Sequence, residues 1–313
     1  MTRSRQLDAR SRPIGVFDSG LGGLTVVRHL MCAMPGEDIV YLGDTARVPY
    51  GTKSLETVRR FSLEDAFFLL RHSPKMIVMA CNTASAAAVD VLKEKCPVPV
   101  VDVIRPGASA AVTMTDGPVG VIATEATISS GAYQRAIAAL DGRREVLAAS
   151  CPLLVPIVEE GWAEDDPIVL HVLTHYLKNL QRRRPGAMIL GCTHYPLLAG
   201  AIGKLMGPDV LLVDSGHATA LDVQRRLTEL DLLSDQKTGG TLVCFTTDNA
   251  DRFAHLAERF GRKKPDAVPK VAKPDVVQQV ATEELMAAYP GPDAAASMPA
   301  GTASVIVNPS PTA

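Results

Sequence analysis

No stretch of the 313-residue chain holds the roughly 18 consecutive apolar residues that would cross a bilayer. Residues 1–13 are polar and basic and lack the apolar centre of a secretory signal, so a cytoplasmic protein is expected. Neither sign of charge is in excess. With 32 Lys and Arg against 34 Asp and Glu, the net charge of −2 creates no field that would gather nucleic acid or an anionic membrane, and neither is an expected partner. The six cysteines (Cys32, Cys81, Cys96, Cys151, Cys192 and Cys244) form no close pairs, which excludes a disulfide-dense scaffold and predicts reduced thiols. Dinucleotide and P-loop signatures are missing. No lysine stands in a recognisable pyridoxal phosphate motif, so the simpler reading is chemistry without a cofactor.

What remains is an ordinary globular composition, 47% hydrophobic and 21% charged, in a chain long enough for two modest domains with a cleft between them. Short apolar runs alternate with helical periodicity, the pattern of an α/β fold with largely parallel sheets. The expected strands are 14–17, 39–42, 76–80, 98–103, 119–122, 188–190, 210–213 and 242–245, with helices over 54–71 and 84–95. From Lys263 onward the composition changes. Eight of the 22 prolines fall in the last 51 residues, which predicts a mostly disordered tail over 263–313, with one short helix possible over 275–288.

A weak internal repeat carries the first functional hint. Met79-Ala80-Cys81-Asn82-Thr83 is followed by Val100-Val101-Asp102, and Leu190-Gly191-Cys192-Thr193-His194 by Leu212-Val213-Asp214. Each half thus places one cysteine just past an apolar strand, where ligands gather in open parallel sheets. A thiol there lies beside backbone N–H groups and a helix dipole that favour its thiolate. Any single cysteine is more often a small buried hydrophobe, and Cys32, Cys96, Cys151 and Cys244 are read that way. The matching contexts of Cys81 and Cys192 favour chemistry.

Two loops are open to either a structural or a binding reading. Asp18-Ser19-Gly20-Leu21-Gly22-Gly23 could hold a phosphate or carboxylate on its amides, or simply turn tightly. The polar loop 43–51 is long for a compact domain. His171 and His175 stand four apart on an expected helix, but no third ligand is apparent and no metal site is expected. A cysteine hydrolase using one thiol and His194 would leave Cys81 dispensable, and a sensor would leave both cysteines unexplained.

Several blocks, in this order, resemble the glutamate racemases of the aspartate/glutamate racemase superfamily. They are Ile14 to Val26, Gly43 to Arg47 with Pro49-Tyr50-Gly51, Ala80 to Ala84, Val155 to Gly161 and Gly191 to Leu198. The resemblance implies two pseudo-symmetric α/β lobes with mainly parallel sheets and the active site in the cleft between them. The expected lobes are 14–98 with 215–262, carrying Cys81, and 99–214, carrying Cys192, preceded by a flexible leader over 1–13.

It further implies cofactor-independent interconversion of L- and D-glutamate for peptidoglycan synthesis, often by a homodimer. Cys81 and Cys192 would exchange protons with opposite faces of Cα, Asp18 assisting the first and Glu159 and His194 the second. Substrate contacts carried over in the same way are Asp18, Ser19, Pro49, Tyr50, Gly51, Asn82, Thr83, Thr124, Thr127, Thr193 and His194. Two thiols suit this task because one can be thiolate while the other is protonated, and one turnover exchanges their states.

Overall fold

A computed structural model describes residues 9–262, 274–289 and 291. The expectations for the leader over 1–8 and for the tail at 263–273, 290 and 292–313 lie outside the described residues.

Ten strands among the described residues form two sheets. The first contains β1 (Ile14–Asp18), β2 (Ile39–Gly43), β3 (Met76–Met79), β4 (Val100–Asp102), β9 (Leu242–Thr246) and β10 (Val276–Gln279), in the order β10-β9-β2-β1-β3-β4. The second contains β5 (Val119–Ala123), β6 (Val146–Ser150), β7 (Ala187–Gly191) and β8 (Leu211–Asp214), in the order β6-β5-β7-β8. All pairs are parallel. The central strands β1, β3, β5 and β7 are buried along their whole length, which explains their unbroken apolar sequence.

Parallel pairing requires crossovers, and helices supply them. They include α1 (Leu24–Ala33), α2 (Leu55–Leu70), α3 (Asn82–Lys95), α4 (Ile104–Met114), α5 (Glu125–Ser129), α6 (Ala132–Leu140), α7 (Leu154–Glu160) and α8 (Pro167–Arg183). Four more follow: α9 (Ala199–Met206), α10 (Ser215–Glu229), α11 (Ala250–Arg262) and α12 (Thr282–Ala288). Local chemistry sets their ends. Ser54 accepts the Thr57 N–H to start α2, Asp166 caps α8 with Pro167 at its first position, and α3 stops at Cys96, before Pro97.

The order β2-β1-β3 makes β1/β3 a switch point, where the chain turns to opposite sides of the sheet; β6-β5-β7 makes β5/β7 the equivalent point in the second sheet. Open parallel sheets bind ligands at such points, at the carboxyl ends of the strands. Register puts Phe17 beside Met79 and Ala123 beside Gly191. Asp18 and Cys81 therefore sit past one switch point, and Thr124 and Cys192 past the other.

The structure corrects two boundaries. Val100–Asp102 pairs with Ile77–Met79, so this strand closes the first sheet instead of opening the second lobe at residue 99. The chain crosses between lobes after Asp102 and returns after Asp214, and each aspartate caps the helix that follows: Asp102 accepts from the Ile104 and Arg105 N–H groups, Asp214 from Gly216 and His217. The tail expectation also changes. Residues 276–288 form β10, paired on β9, and α12, whose Leu285 is fully buried against the Phe67–Phe68 face of α2. Proline content obscured this segment because its stability comes from docking onto an existing sheet edge.

Candidate active site

Asp18 shapes the glycine loop from within. Its Oδ2 accepts the N–H groups of Gly20 (3.1 Å) and Gly23 (3.0 Å), so the carboxylate on these amides is the protein's own. Burial raises the Asp18 pKa, opposed by the His194 charge and by the backbone donors. A Cβ on Gly23 would lie 2.6 Å from Asp18 Cβ, and one on Gly22 would lie 2.2 Å from Thr193 Oγ1 and 2.6 Å from the His194 ring. The glycines thus let the loop of the first lobe close on the Cys192 turn of the second. Thr25 Oγ1 secures the contact, 3.0 Å from Thr193 O.

Cys81 is the N-cap of α3. Its sulfur accepts the Ala84 N–H at 3.4 Å and lies 3.7 Å from Ser19 Oγ. The expected lowering of this thiol is not what the site produces. Burial, then the Asp18 charge, push Cys81 up to about 12 against the Ala84 and Ser19 hydrogen bonds, so Cys81 is a thiol at neutral pH.

Cys192 has a different neighbour. Its sulfur lies 3.8 Å from His194 Nδ1, and His194 Nε2 lies 3.2 Å from Glu159 Oε1. Burial alone would lower this imidazole, but hydrogen bonds to Cys192 and Glu159 outweigh it and raise His194 to about 10. A cavity of about 110 Å³ borders this side of the site, with Gly20, Val48, Glu159, Arg252 and Phe253 in its wall.

Threonines join the lobes. Thr83 Oγ1 is 2.9 Å from Thr124 Oγ1 and 3.2 Å from Thr127 Oγ1, and the last two are 2.9 Å apart. Gly51 packs on Thr124, where a Cβ would meet Thr124 Cβ at 2.8 Å, and this seats the Pro49-Tyr50-Gly51 loop on the second lobe. These contacts bring the Asp18–Gly23 loop, Thr83 and the Tyr50-Gly51 segment of the first lobe against Thr193, His194, Thr124 and Thr127 of the second. Tyr133, which no motif marks, joins them by donating to Asn82 Oδ1 at 2.6 Å. His171 and His175 lie exposed on α8, and no metal-binding cluster of His, Cys, Asp or Glu occurs among the described residues. All six cysteines are free thiols.

Two of the buried polar atoms without a hydrogen-bond partner among the described residues belong to this site: Asp18 Oδ1, an acceptor, and Asn82 Nδ2, a donor. Leaving both unsatisfied is costly, and a zwitterionic ligand, with its ammonium and carboxylate, would complement them.

The chain belongs to the Asp/Glu/Hydantoin racemase family, whose model matches residues 24–223. Proteins similar to it include glutamate racemases. The glutamate racemase of Geobacter metallireducens is 47% identical over 250 residues, which cover 80% of this chain and 92% of that protein. The crystal structure of glutamate racemase from Thermus thermophilus in complex with β-chloro-D-alanine matches with a TM-score of 0.77 at 45% identity, covering 88% of this chain and 99% of that one. The Francisella tularensis enzyme in complex with D-glutamate gives a TM-score of 0.78 at 39% identity, covering 87% and 98%.

Proposed function

We propose that the chain interconverts L- and D-glutamate without a cofactor, with Cys81 and Cys192 as proton carriers on opposite faces of Cα, and so supplies D-glutamate for peptidoglycan. The observation that carries this reading is the pairing of unsatisfied Asp18 Oδ1 and Asn82 Nδ2 with two strand-end thiols from different lobes. Asp18 Oδ1 accepts the substrate ammonium and Asn82 Nδ2 donates to a substrate carboxylate.

Cys192, facing the His194 imidazolium, begins as the base and removes the Cα proton. Cys81, held as a thiol, delivers a different proton to the opposite face, and the product is the mirror image. The Glu159 carboxylate keeps His194 charged beside Cys192, while Asp18 keeps the proton on Cys81 until it is needed. The reverse reaction runs through the same groups with their states exchanged. Charge that develops on the substrate falls on preorganised donors, among them the Thr83, Thr124 and Thr193 hydroxyls, in a cleft closed by both lobes.

Alanine in place of either cysteine tests the reading. General acid–base groups contribute about 10² to 10⁴ in rate, and loss of the only carrier on one face should reduce turnover of both L- and D-glutamate by at least that range. Near-normal turnover by either variant overturns the two-carrier model.

A further inference from the structure

Beneath the Pro49-Tyr50-Gly51 loop lies a charged cluster outside the reacting centre. Arg47 donates from Nε to Asp44 Oδ2 at 2.7 Å, from Nη2 to Asp65 Oδ1 at 3.0 Å, and from Nη1 to Glu64 Oε2. Its guanidinium also lies 4.1 Å from the centre of the Phe61 ring. The Asp44 and Asp65 side chains have no solvent exposure, and Glu64 has 7%. Three carboxylates thus face one guanidinium. Arg60 adds a distant contact at the edge, 3.8 Å from Glu64.

Hydrogen counting decides how this cluster is held. Tyr50 Oη lies 2.5 Å from Asp44 Oδ2 and 2.9 Å from Asp65 Oδ2. A phenol has one hydrogen, whereas an ionised carboxylate can only accept. Asp44 also accepts from Arg47 Nε and, through Oδ1, from Thr247 Oγ1 at 3.0 Å, so every other hydrogen bond it makes is of the kind a carboxylate makes. The shorter phenol contact is to Asp44, which takes the Tyr50 hydrogen. The Asp65 contact at 2.9 Å then needs a hydrogen of its own, because two bare oxygens at that distance in a buried site repel.

We infer that Asp65 is a neutral acid whose O–H donates to Tyr50 Oη while Tyr50 donates to Asp44, and that this chain of hydrogen bonds positions the Tyr50-Gly51 segment against Thr124 of the opposite lobe. Burial, then the Asp44 charge, drive the Asp65 carboxyl upward, with Arg47 and the Tyr50 hydrogen bond opposing them and Glu64 adding to them. The groups facing Asp65 are Asp44, Arg47 and Tyr50 from the loop and Glu64 from its own helix. Asp65 is a positioning residue. Its effect reaches the substrate through Tyr50 and Gly51, and the substrate role of that loop rests on the function proposed above.

The test pairs infrared spectroscopy with kinetics on the full chain. At neutral pH the wild-type protein should show the carbonyl stretch of a protonated carboxyl, which disappears in Asp65→Asn. Asparagine can accept from Arg47 through Oδ1 and donate to Tyr50 through its amide, so Asp65→Asn should keep KM for glutamate near the wild-type value. Asp65→Ala, which removes both contacts, should raise KM about tenfold, the size of one net hydrogen bond, with a smaller effect on kcat. Absence of the acid band from the wild type, its persistence in Asp65→Asn, or equal loss of affinity in the Asn and Ala variants would overturn the inference. The infrared result does not depend on turnover, so it still decides the state of Asp65 if glutamate proves not to be the substrate.

Discussion

Tyr133 of the second lobe donates a 2.6 Å hydrogen bond to the carboxamide oxygen of Asn82 in the first. The amide oxygen is thereby occupied, and Nδ2 is left as the donor presented by Asn82. One phenol thus fixes the orientation of a binding group 51 residues away in sequence.

Tyr133→Phe should release that amide. The ring is fully buried, so the fold should survive with a loss of about 1 kcal/mol, the net worth of one hydrogen bond, while KM for glutamate rises about tenfold. Urea denaturation and steady-state kinetics would measure both. An unchanged KM would show that Asn82 does not meet the substrate through Nδ2.

The His194–Glu159 pair predicts a pH dependence. The His194 pKa is raised from 6.5 to about 10, so the pair's stabilisation is complete below about pH 6.5 and fades as the pH rises towards 10, where the imidazolium loses its proton. The alkaline limb of kcat/KM should report the same loss. Glu159→Gln removes one cause of the raised value, and the limb should move to lower pH. A limb that stays in place would show that His194 does not govern it.

Leu285 tests the docked C-terminal segment. It is fully buried between α12 and the first lobe, and Tyr289 stacks edge-on against Phe67 with ring centres 5.2 Å apart. Leu285→Ala should cost about 2–5 kcal/mol, the range for a buried leucine whose cavity does not collapse. A loss below about 1 kcal/mol in denaturant unfolding would show that α12 is not part of the core.

Much of this arrangement is legible in sequence because strand ends carry it. Asp18, Cys81, Asp102, Cys192 and Asp214 each stand at or just past an apolar run, and the switch points bring those ends together. The strand β6 is not legible, since Val146-Leu147-Ala148-Ala149-Ser150 is short, half-buried and rich in small residues. Nor is β10, whose Val276-Val277-Gln278-Gln279 is mostly exposed and becomes a strand by pairing on β9. Tyr133, and the close fit of Gly22 against Thr193, arise only when distant segments meet. The rise in the Cys81 pKa was hidden for the same reason, because the buried Asp18 charge that helps produce it is a tertiary neighbour.

The most direct measurement of the two-carrier claim follows the Cα hydrogen by proton NMR while the wild-type protein acts on L-glutamate in deuterated water. Carriers on opposite faces cannot exchange their hydrogens before product leaves, so the first D-glutamate formed should carry deuterium at Cα while unreacted L-glutamate retains protium. D-glutamate that keeps the original hydrogen, or L-glutamate that gains deuterium as fast as product appears, would contradict it.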